Sequence, residues 1–145
     1  MLFGRKKRRI ERLLVVEDEP LVAFDTEHSL TDAGYTIVAT VDRVADAIAV
    51  IDGGESVDMV LLDVELADGS GIDVARAAQA AGVAVLFVTG NCPMEASEMA
   101  HGCLSKPYAQ RDLIGAIGAI EQMMDGKAAA KRLPNGFRLF AAAPE

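Results

Sequence analysis

Residues 59–71 read Met-Val-Leu-Leu-Asp-Val-Glu-Leu-Ala-Asp-Gly-Ser-Gly, an apolar run that stops at an aspartate and is followed by a glycine turn. A short run that is apolar throughout is typical of a strand buried on both faces, as in a parallel sheet covered by helices. Asp63 would then stand at the tip of that strand with open space ahead of it. The stretch therefore predicts an α/β fold with a carboxylate at the carboxyl edge of its sheet.

Similar runs recur along the chain, at residues 13–16, 36–39, 83–88 and, more weakly, 103–104. Helical candidates lie between and after them, from Pro20 to Gly34 and over residues 43–51, 72–80 and 110–124. Five strands alternating with helices predict an open, doubly wound five-stranded parallel sheet in three α/β/α layers.

The composition excludes several classes of protein. Of the 145 residues, 51% are hydrophobic, and the longest clear apolar run has six residues, far below the roughly 18 that a membrane span needs. A chain this long buries about two-thirds of its unfolded surface without disulfide staples. We therefore expect a globular, cytoplasmic protein with no membrane span or secretory signal, in which Cys92 and Cys103 are reduced thiols.

The formal net charge of -8 hides a segregation: residues 1–10 carry +5, residues 11–125 carry -16 and residues 126–145 carry +3. The acidic body argues against wrapping of nucleic acid by the folded domain. We expect residues 1–10 to form a basic arm, either solvated or bound to acidic lipid, nucleic acid or a partner. Residues 126–145 show no sustained periodicity and are interpreted as a basic, flexible tail.

Polar residues of complementary chemistry follow the predicted strands. In an open α/β sheet, ligands bind outside the carboxyl ends of the strands, near the point where the strand order reverses. Neighbouring carboxylates repel and tend to bind a cation, and Mg²⁺ is the hard ion that also contacts phosphate oxygens. An aspartate at a strand tip can attack a phosphoryl group, whose oxygens a lysine and a hydroxyl would bind. The residues are Glu17, Asp18 and Glu19 after the first strand, Asp63 after the third, Thr89 after the fourth and Lys106 after the fifth.

At these residues the chain resembles the receiver domain of bacterial two-component response regulators, which has the flavodoxin-like, CheY-like fold. The resemblance covers about residues 11–125. It rests on four motifs in order: Val-Val-Glu-Asp-Glu-Pro at 15–20, residues 60–71, Phe-Val-Thr-Gly at 87–90, and Ser-Lys-Pro-Tyr at 105–108.

The resemblance implies a role for each residue of the site. Asp63 would accept a phosphoryl group from a histidine kinase or a histidine phosphotransfer protein, and Thr89 and Lys106 would clasp the phosphoryl oxygens. Mg²⁺ would be held by Glu17, Asp18, Asp63 and the backbone carbonyl of Glu65. Glu65, Gly90, Asn91 and Pro107 would modulate the site, and the Lys106-Pro107 bond would be cis.

The resemblance also implies a stand-alone response regulator, a phosphoacceptor that catalyses only its own phosphorylation and dephosphorylation. After Lys106 only 39 residues remain, too few for a helix-turn-helix DNA-binding module. The output would therefore be binding to a downstream protein or onward phosphotransfer.

Two features depart from the family pattern. Cys103 stands three positions before Lys106, where receivers usually carry an aromatic switch residue. Only 17 positions separate Thr89 from Lys106, so the fourth helix is expected to be short or irregular. Residues 87–90 are similar to the Phe-Ala-Thr-Gly motif of a receiver subfamily from alphaproteobacterial stress signalling that lacks the aromatic switch.

Two other functions fit parts of the pattern. A haloacid-dehalogenase-type phosphatase also uses a nucleophilic aspartate, but it needs a second aspartate two positions later, where Glu65 stands. An inactive receiver that acts only as a binding module is the other alternative, and the intact set of acidic residues, Thr89 and Lys106 argues against it.

Overall fold

The computed structural model describes residues 8–127 and 132–140, in which four helices and a 3₁₀ turn connect the strands. The elements in chain order are β1 (Arg12–Val16), α1 (Pro20–Asp32), β2 (Thr36–Val41), α2 (Val44–Asp52), β3 (Met59–Leu62), β4 (Glu65–Leu66), β5 (Gly69–Ser70), α3 (Gly71–Ala80), β6 (Ala84–Thr89), the 3₁₀ turn (Ala96–Glu98), β7 (Gly102–Ser105), α4 (Gln110–Met124) and β8 (Phe137–Leu139).

The main sheet has the strand order β2-β1-β3-β6-β7-β8. The first five of these strands are parallel, as the alternation of strands and helices predicts. The chain leaves β1 toward one edge of the sheet and returns at β3 to build toward the other edge. This reversal places the expected ligand site at the carboxyl ends of β1 and β3.

The strands are buried because helices cover both faces of the sheet. All residues of β3 and β6 are buried, which explains why their sequences are apolar without alternation. On one face, Leu113, Ile117 and Ile120 of α4 are completely buried against the sheet. Helices α2 and α3 contribute Ala47, Val74 and other small residues to a separate core on the opposite face, so the layers are α/β/α.

Helix α2 is capped by a distant residue. The carboxylate of Asp68, in the turn between β4 and β5, accepts hydrogen bonds from the backbone N–H groups of Val44 (2.6 Å) and Ala45 (3.3 Å). These bonds hold the pKa of Asp68 below its ordinary value. Because β4 and β5 directly follow Asp63, the cap ties the loop beyond this strand tip to the start of α2.

The C-terminal expectation needs correction, because part of the supposed tail is a strand. Residues 132–140, here called the edge segment, contain β8, which pairs antiparallel with β7 and extends the sheet to six strands. Phe137 is buried and its ring lies over Gly102 of β7, so closely that a side chain at Gly102 would collide with it. Three residues are too few to show a strand period, and the free edge of β7 supplies the pairing partner.

The N-terminal boundary also shifts. Ile10, assigned to the basic arm, is completely buried, and its backbone N–H donates to Glu121 Oε2 at 2.9 Å. Arg9 forms a 2.6 Å ion pair with Asp125, and the Arg8 guanidinium lies 4.4 Å from the centroid of the Tyr35 ring. Part of the basic run is therefore packed on the domain. Arg5, Lys6 and Lys7 lie outside the described residues, as do residues 128–131 and 141–145.

The connection from β6 to β7 is short, as the spacing of Thr89 and Lys106 predicts: between these strands the described chain forms only the 3₁₀ turn Ala96–Glu98. Within residues 8–127 and 132–140, no helix combines the length and the apolarity needed to cross a bilayer.

Candidate functional site

The carboxylates predicted from the sequence converge at the ends of β1 and β3. Val16 and Leu62 are register partners, and the backbone N–H of Asp63 donates to the Val16 carbonyl at 3.0 Å, so the two strand ends are joined side by side. One carboxylate oxygen from each of four residues lies within 4.8 Å of the others. These residues are Glu17, Asp18, Glu19 and Asp63, and together with Lys106 they are called the acid site below.

Lys106 enters the acid site from the end of β7. Its ammonium nitrogen lies 2.9 Å from Glu17 Oε1, 2.8 Å from Glu19 Oε1 and 3.0 Å from Asp63 Oδ2. Its backbone N–H donates to the Thr89 carbonyl at 2.9 Å, which aligns β7 with β6 beyond their last paired residues. The Lys106-Pro107 peptide bond is cis, as the resemblance implied.

Burial and opposite charge compete in setting the pKa values of the acid site. Burial raises the pKa of Glu17, although hydrogen bonds from Lys106 and from the backbone of Glu19 act in the opposite direction. Burial also disfavours the charged form of Lys106, but its hydrogen bonds to the three carboxylates outweigh burial and raise the pKa of the ammonium. Lys106 therefore carries a positive charge at neutral pH, within a cluster whose charge is net negative.

Asp63 is almost completely buried, at 6% exposure, yet each of its oxygens has a donor. Oδ1 accepts the backbone N–H of Glu65 at 3.2 Å, and Oδ2 accepts the Lys106 ammonium. Thr89 is also buried, at the end of the adjacent strand β6. A buried carboxylate that accepts hydrogen bonds on both oxygens is held in one orientation, so its position is fixed before any ligand arrives.

The expected modulators lie around this centre, most of them on the surface. Glu65 contacts Asp63 through its backbone, while its side chain is exposed. Gly90 and Asn91 are exposed in the loop that follows Thr89, and Pro107 is exposed after Lys106. Such positions are open to solvent.

The donor set fits a hard divalent cation. Four carboxylate groups supply oxygen ligands within a sphere of a few ångströms, and the single ammonium of Lys106 balances only part of their charge. Oxygen donors of this kind suit Mg²⁺, which is usually bound by one or two protein carboxylates together with waters and phosphate oxygens.

Two contacts in and beside the site were not assigned from the sequence. Glu19 bonds to Lys106, although only Glu17 and Asp18 were given a role; its place in the same acidic run was the available signal. Tyr108 Oη lies 3.3 Å from Thr26 Oγ1 of α1, which connects the loop after Lys106 to the first helix. No sequence signal indicated this second contact.

The expectation of two reduced thiols is wrong, because a disulfide joins Cys92 and Cys103. The loop after β6 brings Cys92 close to β7, where the two Cα atoms lie 6.3 Å apart, within the range that a disulfide spans. Cys103, which stands where receivers usually carry an aromatic switch residue, is completely buried. Spacing alone could not show this pairing, since it depends on the path of the loop.

Comparisons with known proteins agree with this geometry. The protein-family model of the response regulator receiver domain matches residues 13–118. The chain is 31% identical to the TorCAD operon transcriptional regulatory protein TorR of Escherichia coli over 108 residues, which are 70% of this chain and 46% of TorR. It is 30% identical to the Phyllosphere-induced regulator PhyR of Methylorubrum extorquens over 79 residues, 53% of this chain and 30% of PhyR. The chain thus spans less than half the length of these curated relatives.

Solved structures are similar over most of the chain. A response regulator receiver protein from Sinorhizobium medicae has a TM-score of 0.68 and 26% identity, covering 78% of this chain and 95% of that one. A CheY-like receiver domain from Methanospirillum hungatei has a TM-score of 0.71 and 24% identity, covering 81% and 98%, and shows the fold alone.

Proposed function

The chain belongs to the response regulator receiver family, whose members are phosphoacceptor signalling modules rather than catalytic enzymes, and we propose that Asp63 is its phosphoacceptor. The donor in this proposal is a phosphohistidine on a histidine kinase or on a histidine phosphotransfer protein. The phosphorylated chain then binds a downstream protein or passes the phosphoryl group on.

The observation that carries the proposal is the environment of Asp63. It is a buried carboxylate at a strand tip, 3.0 Å from a lysine ammonium and beside three further carboxylates. A buried carboxylate with a purely structural role would need only one cationic partner. This one shares its lysine with Glu17 and Glu19, an arrangement that leaves excess negative charge and calls for a cation.

The reaction requires little movement of the protein. An oxygen of Asp63 attacks the phosphorus, the new O–P bond forms, and the N–P bond to the donor imidazole breaks; the imidazole nitrogen keeps the electron pair and is then protonated. Lys106 is already within reach of Asp63 and would follow the charge onto the phosphoryl oxygens. The Thr89 hydroxyl, at the end of β6, would donate to one of them.

Glu17, Asp18, Asp63 and the backbone carbonyl of Glu65 would hold Mg²⁺. When bound, the ion offsets the charge of the carboxylates and of the incoming phosphoryl group. The residues of the chain orient the nucleophile through the Glu65 N–H and Lys106 hydrogen bonds described above.

A small-molecule donor tests the acceptor directly. The chain is mixed with Mg²⁺ and acetyl phosphate, or with beryllofluoride, and its backbone amide NMR shifts are followed. We expect shifts near the ends of β3, β6 and β7, no response without Mg²⁺, and no response in Asp63→Asn. An unchanged spectrum, or equal changes in Asp63→Asn, would refute the proposal.

The surface beside the acid site supports docking of a protein donor. Leu21 and Phe24 of α1 are 80% and 66% exposed. A groove of about 370 Å³ is lined by Glu19 and Lys106 of the acid site and by residues of α1 and of the loop after Lys106, including Val22 and Pro107. Exposed large apolar side chains at the rim of a site are typical of a partner surface.

A comparison of a small-molecule donor with a protein donor distinguishes a role in docking from a role in the phosphoryl transfer itself. In Leu21→Ala/Phe24→Ala we expect acetyl phosphate to label the chain normally, whereas transfer from histidine kinases of the source organism, assayed one at a time, slows at least about tenfold, equivalent to about 1.4 kcal/mol. Met94→Ala is the control, because Met94 is 99% exposed and lies in the loop between β6 and β7. Equal slowing with both donors would contradict a docking role.

The remaining parts of the proposal concern its setting. The proposed site of action is the cytoplasm, because a histidine kinase forms its phosphohistidine with ATP, which is found there. The similarity of residues 87–90 to the Phe-Ala-Thr-Gly motif supports a role in stress signalling. Deletion of the gene, followed by survival assays under heat and oxidative stress, tests that role; unimpaired survival would argue against it.

A further inference from the structure

The disulfide ties the loop after β6 to the neighbouring strand β7. Cys103 is completely buried in β7, opposite Phe87 of β6 and Arg138 of β8. Cys92 follows Thr89 by three residues, and its side chain is only partly buried. The disulfide therefore joins a completely buried residue to one that is only partly buried, and Cys92 is the end that a small thiol or a redox protein would attack.

The two sulfurs close a ring of chain over residues 92–103 that is anchored unevenly. Within the ring, Ala96 and Met99 pack into the same buried cluster as Cys103. Gly90 and Asn91, which connect Thr89 to the ring, are exposed, and an added Cβ at Gly90 would meet no atom within 4 Å. Because packing restrains these two residues little, their far end is held at Cys92, by the covalent bond and by the packing of Cys92 against the same cluster.

A disulfide at this place is unexpected in a cytoplasmic protein. Cytoplasmic thiols are kept reduced, and the disulfides that do form there are mostly transient and either catalytic or redox-sensing. Cys92 and Cys103 take no part in the phosphoryl chemistry, which makes a catalytic bond unnecessary. Cys92 lies three residues after Thr89 in the chain, so a redox change there would reach the phosphoacceptor site through Gly90 and Asn91.

We propose that Cys92 and Cys103 form a reversible redox latch, which holds residues 90–92 beside Thr89 when oxidised and releases them when reduced. Its effect on signalling rests on the proposed phosphoacceptor role of Asp63. The latch itself rests only on the disulfide and on the loop that it restrains.

Both directions of the latch are balanced thiol chemistry. For opening, a thiolate of a dithiol reductant attacks Cys92 Sγ, and Cys103 leaves as a thiolate that is protonated. The second thiol of the reductant then displaces Cys92, forming the reductant's own disulfide. For closing, the Cys92 thiolate attacks a hydroperoxide oxygen and the O–O bond breaks; with one proton from solvent this gives a sulfenic acid and an alcohol or water. The Cys103 sulfur then attacks Cys92 Sγ, and the sulfenic hydroxyl leaves with the Cys103 proton as water, which forms the disulfide.

Release of the loop changes the access of water to the phosphoryl group. Gly90 and Asn91 directly follow Thr89 in the chain and are exposed. A restrained loop shields the phosphoryl group from water, and a free loop exposes it. The reduced protein should therefore lose its phosphoryl group faster than the oxidised protein.

The test compares full-length protein treated with hydrogen peroxide and protein treated with dithiothreitol. Free thiols are counted with an aromatic disulfide reagent, and amide hydrogen exchange is measured over residues 90–103. The protein is also labelled with acetyl phosphate, and the decay of the acyl phosphate is timed. The variants are Cys92→Ser and Cys103→Ala, and Met94→Ala, an exposed change within the ring, is the matched control.

We expect no free thiols after peroxide and two after dithiothreitol. Exchange at residues 90–92 and hydrolysis of the acyl phosphate should both be at least about threefold faster in the reduced protein. Cys92→Ser and Cys103→Ala should show the faster rates under both treatments, whereas Met94→Ala should respond like the original protein.

Two free thiols after peroxide, equal exchange in the two states, or an equal redox response in Cys92→Ser would overturn the latch. Labelling that is absent, or that persists in Asp63→Asn, would instead refute the phosphoacceptor role. Hydrogen exchange decides the latch in either case, since it requires no phosphoryl group.

Discussion

Asp63 and Phe137 are both buried residues of the sheet, but they belong to very different regions. Asp63 follows the central strand β3 and joins the acid site, whereas Phe137 begins β8 at the far edge. The acid site is assembled from short motifs at the ends of strands that are recognisable one by one. The edge segment has no such motif and owes its structure to the strand beside it. Local patterns therefore account for the acid site, and long-range packing accounts for the edge.

The comparison implies that the two regions are stabilised differently, by charge pairing in the acid site and by apolar packing at the edge. The variants below test this difference, beginning with the one expected to have the largest effect.

Replacing Lys106 with methionine should cost about 3 kcal/mol of unfolding free energy in the absence of divalent cations, since it leaves buried carboxylates without their cation. Added Mg²⁺ should recover part of this loss. Urea denaturation measures both effects. The control is Arg9→Met, which removes an ion pair whose side chains are 50% and 32% exposed and should cost less than about 1 kcal/mol. Equal costs for the two variants would contradict the role of burial.

Removing the Phe137 ring should cost about 2 kcal/mol, somewhat less than truncation of a phenylalanine in a central core. Labelling of Asp63 by acetyl phosphate should continue at its original rate, because the ring packs over Gly102 rather than on the acid site. Phe24→Ala, at a position that is 66% exposed, should change stability by no more than about 0.5 kcal/mol. Loss of labelling in Phe137→Ala would show that the two regions are coupled.

A side chain at Gly102 should displace β8. An added Cβ would lie 2.7 Å from Phe137 Cε1 and 3.0 Å from the Arg138 carbonyl oxygen, so Gly102→Ala should cost about 1–2 kcal/mol. The cost should shrink in a Phe137→Ala background, where the ring is absent. Gly118→Ala on α4 meets no atom within 4 Å and should instead stabilise the protein by up to about 1 kcal/mol. Additive costs of Gly102→Ala and Phe137→Ala would argue against direct contact.

His101 should make stability depend on pH. Burial lowers the pKa of its imidazole, so the unfolded chain binds a proton more readily than the folded protein. The contribution of His101 to the unfolding free energy is then complete above the ordinary histidine pKa of about 6.5. It falls as the pH drops from there toward the lower pKa of the folded state, at less than about 1.4 kcal/mol per pH unit.

The measurement is urea denaturation between pH 7.5 and 5, with His101→Asn compared with His28→Asn. The asparagine at position 101 keeps an acceptor for the Val85 N–H, which donates to His101 Nδ1 at 3.3 Å. His28 is exposed on α1 and serves as the matched control. An unchanged pH slope in His101→Asn would mean that other groups cause the dependence.

Much of the fold could be predicted because its signals are local. The runs at 13–16 and 59–62 have the continuous apolar character of strands covered on both faces, and Pro20 marks the beginning of α1. The parallel order of the first five strands follows from their alternation with helices. Apolar character alone does not mark the buried side of α1, since Leu21 is apolar and 80% exposed.

The site could be placed for the same reason. In a parallel sheet, residues that directly follow neighbouring strands meet at one edge, so Glu17, Asp63 and Lys106 converge even though they are far apart in the chain. The part of Glu19 in the lysine contacts was not assigned, because the rotamers of three consecutive acidic residues are set by packing rather than by spacing.

The amino-acid sequence alone specified the parallel alternation of strands and helices, the acidic cluster and the short link between β6 and β7, because each depends on residue types along the chain or on chain length. Folding in three dimensions decided that Cys92 meets Cys103, that Ile10 enters the core, and that the edge segment adds β8 to β7. Each of these is a contact between surfaces that exist only after the sheet has formed. The pattern of residue types along the chain does not predict such contacts, since a free strand edge or a nearby loop becomes a partner only through the path of the folded chain.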